Sequence, residues 1–196
     1  MTKNMRKKKK KTVEHSFVSI PSPYLSSLSF DSVGSEIYFI GGRVENGGQW
    51  SPSRAVRVLD CRSQTWRVAP SMILPRMFSS TCVYDGKIYV MGGSHGLDNE
   101  SWAEVFDTKT LTWACLPDPG TEVRKLYIFR NTEIDGKLYF GSREDMYAYD
   151  TKQGKWECGK GLVATFPMSE CVIENVSYSY GLEGNGCWWY DIKSEK

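Results

Sequence analysis

Histidine is scarce in this chain, with two in 196 residues, and none of the six cysteines (Cys61, Cys82, Cys115, Cys158, Cys171, Cys187) belongs to a Cys-x-x-Cys pair. Both shortages narrow the chemistry. A zinc site needs clustered Cys and His ligands, and a hydrolytic triad needs a histidine held between an acid and a nucleophile. Long apolar runs are missing too. No stretch approaches the roughly 20 apolar residues that span a bilayer. Where a secretory signal would place its apolar core, the basic start runs into Thr12-Val13-Glu14-His15-Ser16. The expectation is a chain neither membrane-spanning nor secreted, located in the nucleus and/or cytoplasm, with reduced cysteines. The sequons Asn99-Glu100-Ser101 and Asn175-Val176-Ser177 would then stay unused.

Proline is sparse (8) beside 18 glycines, a balance that suits tight turns rather than disorder. The hydrophobic share of 40% and the charged share of 24% are those of a globular chain. The net charge of +2 is unevenly spread. Lys3, Arg6 and Lys7 to Lys11 leave 18 basic against 23 acidic residues in the remainder. An acidic body is a poor partner for a phosphate backbone, so nucleic acid is not the expected ligand. Residues 1–16 read as a basic, disordered tail, with nuclear import or a polyanion contact as other uses of Lys7–Lys11.

What the sequence does have is a repeat. Gly34-Ser35-Glu36-Ile37-Tyr38-Phe39-Ile40-Gly41-Gly42 lines up with Asp85-Gly86-Lys87-Ile88-Tyr89-Val90-Met91-Gly92-Gly93 and with Asp135-Gly136-Lys137-Leu138-Tyr139-Phe140-Gly141. Downstream of each, Asp60, Asp107 and Asp150 precede Trp66, Trp113 and Trp156 by the same interval. Asp-Gly pairs suit two-residue hairpin turns, whose backbone needs positive φ. The Ile/Leu-Tyr-Val/Phe runs suit strands buried on both faces. The paired glycines fall where backbone crowding excludes a Cβ. Each aspartate opens the next hairpin, and each tryptophan starts an outer strand and fills a wedge between sheets. A degraded fourth copy runs from Val172 to Asp191 without its tryptophan. Phe17-Val18-Ser19-Ile20-Pro21-Ser22 has the spacing of Trp66-Arg67-Val68-Ala69-Pro70-Ser71. It reads as an outer strand lacking its inner three, expected to pair with the last strand around Trp188–Ile192 and close a small ring.

These blocks resemble the kelch repeat, in which each copy forms one four-stranded blade of a β-propeller. Ile20-Pro21-Ser22-Pro23-Tyr24 and the Asp-Gly-Lys-Ile/Leu-Tyr turns are similar to those of the plant F-box/kelch-repeat family. The resemblance implies an all-β propeller or partial propeller over residues 17–196. Its repeats would cover about 23–70, 71–117, 118–160 and an incomplete 161–196, giving three complete blades and one composite or incomplete blade. It also implies a non-enzymatic protein-interaction module, similar to the propeller that recruits substrates to a Skp1–cullin–F-box ubiquitin ligase. Residues 1–16 are too short and too basic for an F-box, so docking on a Skp1-type adaptor is not expected. A truncated, non-functional gene product is the alternative. A kelch metalloenzyme, copper or iron dependent, is a weaker one, because its histidine ligands have no counterparts here.

Loops that differ between copies are the place for function. The long loop 43–54 offers Arg43, Gln49, Trp50 and Arg54. The next offers His95, Asn99 and Trp102, the third Arg143, and the links between copies Arg76 and Arg124. Arg and Trp are common anchors of protein contacts, so these residues form the expected partner face, and the partner is an unidentified protein. No catalytic residue, metal or cofactor is expected. Cys82, Cys115, Cys158 and Cys171 fall at equivalent places in separate copies and read as small buried hydrophobes.

Overall fold

The structure is a computed structural model that describes residues 26–93, 101–126, 128, 130–141, 146–158, 170–173, 176–180 and 187–191. Each repeat folds as an antiparallel meander. In the first, β1 (Ser29–Val33) and β2 (Glu36–Ile40) are followed by a separate hairpin of β3 (Arg43–Asn46) and β4 (Gln49–Pro52), and β5 (Val56–Asp60) and β6 (Thr65–Ala69) then complete the sheet. The second holds β7 (Ser80–Tyr84), β8 (Lys87–Met91), β9 (Ala103–Asp107) and β10 (Thr112–Cys115). A short helix, α1 (Thr121–Arg124), lies in the link to the third, which holds β11 (Arg130–Ile134), β12 (Lys137–Gly141), β13 (Met146–Asp150) and β14 (Lys155–Cys158). The fourth shows three strands among the described residues, β15 (Glu170–Ile173), β16 (Val176–Tyr180) and β17 (Cys187–Asp191). This is a partial propeller of three four-stranded blades and a three-stranded one.

Turn chemistry sets the registers. Asp85 and Gly86 (φ 47° and 69°), and Asp135 and Gly136 (φ 52° and 85°), hold the left-handed pair that a two-residue hairpin needs. Val83 thereby faces Ile88, and Glu133 faces Leu138. After the third strand, Asp60 Oδ1 accepts the backbone N–H of Arg62 at 2.8 Å. Asp107 Oδ1 does the same for Lys109 at 2.9 Å and Thr110 at 3.1 Å, and Asp150 Oδ1 for Lys152 and Gln153, both at 2.9 Å. These backbone donors hold the three carboxyls below the usual aspartate range.

The first strands β1, β7 and β11 lie side by side. Polar bonds join them, with Thr81 Oγ1 donating to the Phe30 carbonyl at 3.1 Å and Asn131 Nδ2 to the Thr81 carbonyl at 2.6 Å. Because strand side chains alternate in direction, blade 2 has one face toward blade 1 and the other toward blade 3. Tyr38, Ile40, Val56 and Val58 of blade 1 meet Ile88, Val90 and Phe106 of blade 2 in one core. Cys82, Tyr89, Met91 and Ala103 of blade 2 meet Leu138, Phe140 and Tyr149 of blade 3 in the next. Burial in that second core pushes the Cys82 thiol and the Tyr89 hydroxyl each up to about 12.

Three expectations change here. In blade 2 the second strand is buried on both faces, with Ile88, Tyr89, Val90 and Met91 all enclosed. In blade 1, Ile37 and Phe39 stay half-exposed, because no described blade covers their side. Cys115 is exposed rather than buried: it lies on the same side of β10 as Trp113 but at the end of the strand, beyond the indole that packs on the blade 1–2 core. The 43–54 loop is an ordered hairpin turned by Gly47-Gly48, both at positive φ. The expected strand Phe17–Ile20 lies outside the described residues.

Candidate functional site

The β3–β4 hairpin breaks the repeat, and its construction is visible in the sequence around it. Asn46-Gly47-Gly48-Gln49 supplies the turn, and Arg43 pairs with Pro52, Val44 with Ser51, and Glu45 with Trp50. At its base, Gly42 has φ 91°, and a Cβ there would stand 2.7 Å from the Ser26 carbonyl. The chain can therefore turn out of the blade while its backbone touches the incoming link. The Arg43 N–H donates to that same carbonyl at 2.8 Å, and Arg43 Nε donates to Ser26 Oγ at 2.9 Å. So fixed, the Arg43 guanidinium sits over the Trp50 ring, 4.4 Å from its centroid, while Trp50 remains 51% exposed. A cation held against an exposed indole is a ready-made contact for a carboxylate and an apolar group side by side. Gln49 and Arg54 are exposed on and beside the same hairpin.

Two of the expected contact residues are buried and cannot present themselves to a partner. Arg76 is fully enclosed. Its Nε donates to Glu104 Oε1 at 2.9 Å, Nη1 to the carbonyls of Gly92 at 2.7 Å and Trp102 at 2.8 Å, and Nη2 to that of Ser101 at 2.7 Å. The second Glu104 oxygen accepts the Ile73 N–H at 2.7 Å. A buried guanidinium is tolerated only with its fork satisfied in this way. Arg76 thus joins blade 1's outgoing link to blade 2. Trp102 is likewise buried, packed 5.4 Å from Phe140 and 5.7 Å from Trp156 between blades 2 and 3. Sequence spacing cannot separate these from surface residues, although Glu104, alone among its equivalents Arg57 and Tyr147 in being acidic, is the signal that a cation lies nearby.

Arg124, at the end of α1, is largely enclosed and pairs through Nε with Asp118 Oδ1 at 3.0 Å. That contact holds the Asp118 carboxyl below its usual range. His95, Asn99 and Arg143 lie outside the described residues. The structure therefore places Arg43, Gln49, Trp50 and Arg54 on and beside one hairpin, while Arg76 adjoins its base through backbone bonds to Gly42 and Ser53 but turns its side chain inward, and Trp102 and Arg124 lie at the blade 2–3 seam and its link.

The repeat residues occupy the joints between blades. Trp113 Nε1 donates to the Pro70 carbonyl at 2.8 Å and Trp156 Nε1 to the Pro117 carbonyl at 2.7 Å, so each indole ties its blade to the preceding link. Gly41 would place a Cβ 2.5 Å from the Arg76 carbonyl, and Gly93 one 2.6 Å from the Met77 carbonyl. Gly92 has more room, with Ile128 at 3.5 Å, while Gly141 ends β12.

The FKB95 kelch-repeats domain profile matches residues 1–196. The chain belongs to that family. This kelch-repeat chain is 52% identical over 193 residues to the F-box/kelch-repeat protein At4g19870 of Arabidopsis thaliana, covering 94% of this chain and 47% of that protein. It is 51% identical to At4g19865, covering 94% and 45%, and 40% identical to At4g19330, covering 95% and 46%, both F-box/kelch-repeat proteins of the same plant. The kelch-repeat chain spans about half the length of these curated relatives. Among its described residues, no three or more His, Cys, Asp or Glu side chains converge as a metal site, and no helix is long and apolar enough to cross a membrane.

A recess of about 310 Å³ that the sequence did not suggest lies on the blade 2–3 link, lined by Pro119, Glu122, Val123, Tyr147, Trp156 and Glu157 among others. Lys137 Nζ holds Glu157 at 2.7 Å.

Proposed function

We propose that this kelch-repeat chain is a non-enzymatic protein-binding module whose contact surface is the β3–β4 hairpin, and that it serves substrate recognition of the kind carried out by the propellers of F-box/kelch ubiquitin-ligase adaptors. The observation that carries the reading is the Arg43 guanidinium fixed over the exposed Trp50 ring at 4.4 Å. The family supports an interaction module. The hairpin supports a place for it, because it adds surface that the repeat itself does not need. The partner would present a carboxylate beside an apolar side chain, so that Arg43 is neutralised as Trp50 is covered.

The test compares the partners captured from plant extract by the wild-type chain and by a variant carrying Arg43→Ala and Trp50→Ala. Trp50 is exposed, and Arg43 contributes one bond to Ser26 outside the blade cores, so the variant should melt within about 2–4 °C of the wild type. Loss of specific partners in a variant that still folds at the assay temperature is the expected result. An unaltered partner set would reject the hairpin as the contact surface. Recovery of ubiquitinated species among the lost partners would support the substrate-recognition role.

A further inference from the structure

Blade 1 has a face with nothing described against it, and that face is built like two others that are covered. The residues of blades 2 and 3 that look toward the blade before them include Ile88, Val90, Leu138 and Phe140, all fully buried. Their counterparts in blade 1, Ile37 and Phe39, stay half-exposed in an open row instead. Phe30, 65% exposed, stacks on Phe39 with 6.1 Å between centroids, and Phe39 packs on Trp66 at 5.0 Å. The polar groups along the row are unfinished as well. Trp66 Nε1 and Arg57 Nε are buried atoms without a hydrogen-bond partner. Leaving a buried donor unmet is costly, and the equivalent indoles of Trp113 and Trp156 both have one, a proline carbonyl in the preceding link.

The proline that this pattern calls for is in the chain. Pro70 follows Trp66 by four residues and Pro21 follows Phe17 by four. Ser27 and Phe78 share a left-handed φ of 56°, so the chain enters blades 1 and 2 along matching paths. We propose that residues Phe17–Ser22 of this chain seat on the open face of blade 1, with the Pro21 carbonyl accepting the Trp66 indole N–H. Val18 and Ile20, which match Arg67 and Ala69 on the side of blade 1 that looks toward blade 2, supply the apolar groups that Phe39 lacks. The contact between Phe39 and Trp66 is thereby part of an intramolecular joint rather than a surface for partners. The proposal is independent of the hairpin reading, which uses other residues.

The full chain is produced with p-benzoylphenylalanine in place of Phe39, which packs on Trp66, irradiated, and mapped by peptide mass. An intrachain link to the peptide containing residues 17–22 is the expected result. Links to a second copy, links elsewhere in the chain, or no link in folded protein would each overturn the proposal. Melting gives a second readout. Trp113→Phe removes an indole N–H that has its acceptor, and should lower Tm by about 2–4 °C, the shift expected for one lost hydrogen bond in a chain of this size. With Pro21 seated, Trp66→Phe lowers Tm by a similar amount. A Tm that stays level or rises for Trp66→Phe, while Trp113→Phe lowers it, would mean that the donor was never met.

Discussion

The two described seams between blades solve the same packing problem with different chemistry. Between blades 1 and 2 the core is aliphatic and aromatic, but at its edge Arg76 and Glu104 are both fully enclosed and paired at 2.9 Å. Between blades 2 and 3 the core is dominated by rings, with Trp102, Phe140, Tyr149 and Trp156 in mutual contact. The arginine of that link, Arg124, pairs instead with the mostly exposed Asp118. Equivalent links therefore carry the same residue type with different acid partners, one on the next blade and one in the link itself. Glu104 in blade 2 supplies the acid for Arg76, whereas its equivalent in blade 3, Tyr147, is not a carboxylate.

The sharpest way to break this comparison is to remove the charges singly. Arg76→Met leaves Glu104 enclosed without its cation, and a buried partner stranded in this way costs about 3–5 kcal/mol. Arg124→Ala strands no enclosed carboxylate, because Asp118 is mostly exposed, and should cost less than Arg76→Met. Urea unfolding of both variants measures the contrast. Similar losses would show that the burial of Arg76 carries no special weight. Adding Glu104→Leu to Arg76→Met should recover part of the loss, because the stranded charge goes, but not all of it, because Glu104 also accepts the N–H groups of Ile73 and Leu74.

Gly92 and Gly93 sharpen the same contrast at adjacent positions. Both have left-handed backbone, φ 67° and 70°, so alanine at either carries a strain of about 1–2 kcal/mol. Their surroundings differ. A Cβ on Gly92 meets the ends of Ile128 and Trp102 side chains in the blade 2–3 seam at ordinary contact distance. One on Gly93 meets the Met77 carbonyl and the Ser79 backbone of the incoming link at 2.6 Å. Gly93→Ala should therefore lower the melting temperature distinctly more than Gly92→Ala. Equal shifts would mean that the link backbone yields freely.

The fold is largely legible in the sequence because it is periodic. Asp-Gly turns, β-rich runs and the Asp-to-Trp interval are local features repeated in register, and local features survive without knowledge of tertiary contacts. The partial propeller follows from them. The site is less legible because burial is not periodic. Spacing cannot tell the enclosed Arg76 from an exposed loop arginine such as Arg54, and only Glu104 opposite it in the fold shows where Arg76 belongs. Trp102 is misread for the same reason, since it belongs to the aromatic seam and not to the loop it follows. The hairpin at 43–54 leaves a local signal in Asn46-Gly47-Gly48-Gln49, but one short turn between weakly apolar strands reads as loop. Cys115 matches other cysteines in its copy position and so reads as buried, whereas the outer strand is only partly covered.

Both seams hold groups raised by burial, Tyr38 in the first and Cys82 and Tyr89 in the second, and the second should respond more strongly to high pH. Cys82 and Tyr89 both lie in the blade 2–3 core, and burial pushes each up to about 12. In the unfolded chain they return to ordinary values, 9.0 for the thiol and 10.0 for the phenol. A group whose folded pKa is raised stabilises the fold fully below its unfolded pKa, and that contribution is lost as pH rises toward the folded value. Stability should therefore decline from about pH 9 toward 12 as the unfolded chain sheds protons that the folded chain retains. Cys82→Ala and Tyr89→Phe should each flatten this decline by up to one proton, whatever constant offset the substitution adds. Met72→Leu in the blade 1–2 core, which removes no titrating group, should leave the slope as it was. Urea midpoints collected from about pH 8 to 11 separate the slope from the offset. A slope unchanged in Cys82→Ala would mean that the thiol already ionises in the folded chain, and that the second seam is wetter than its packing shows.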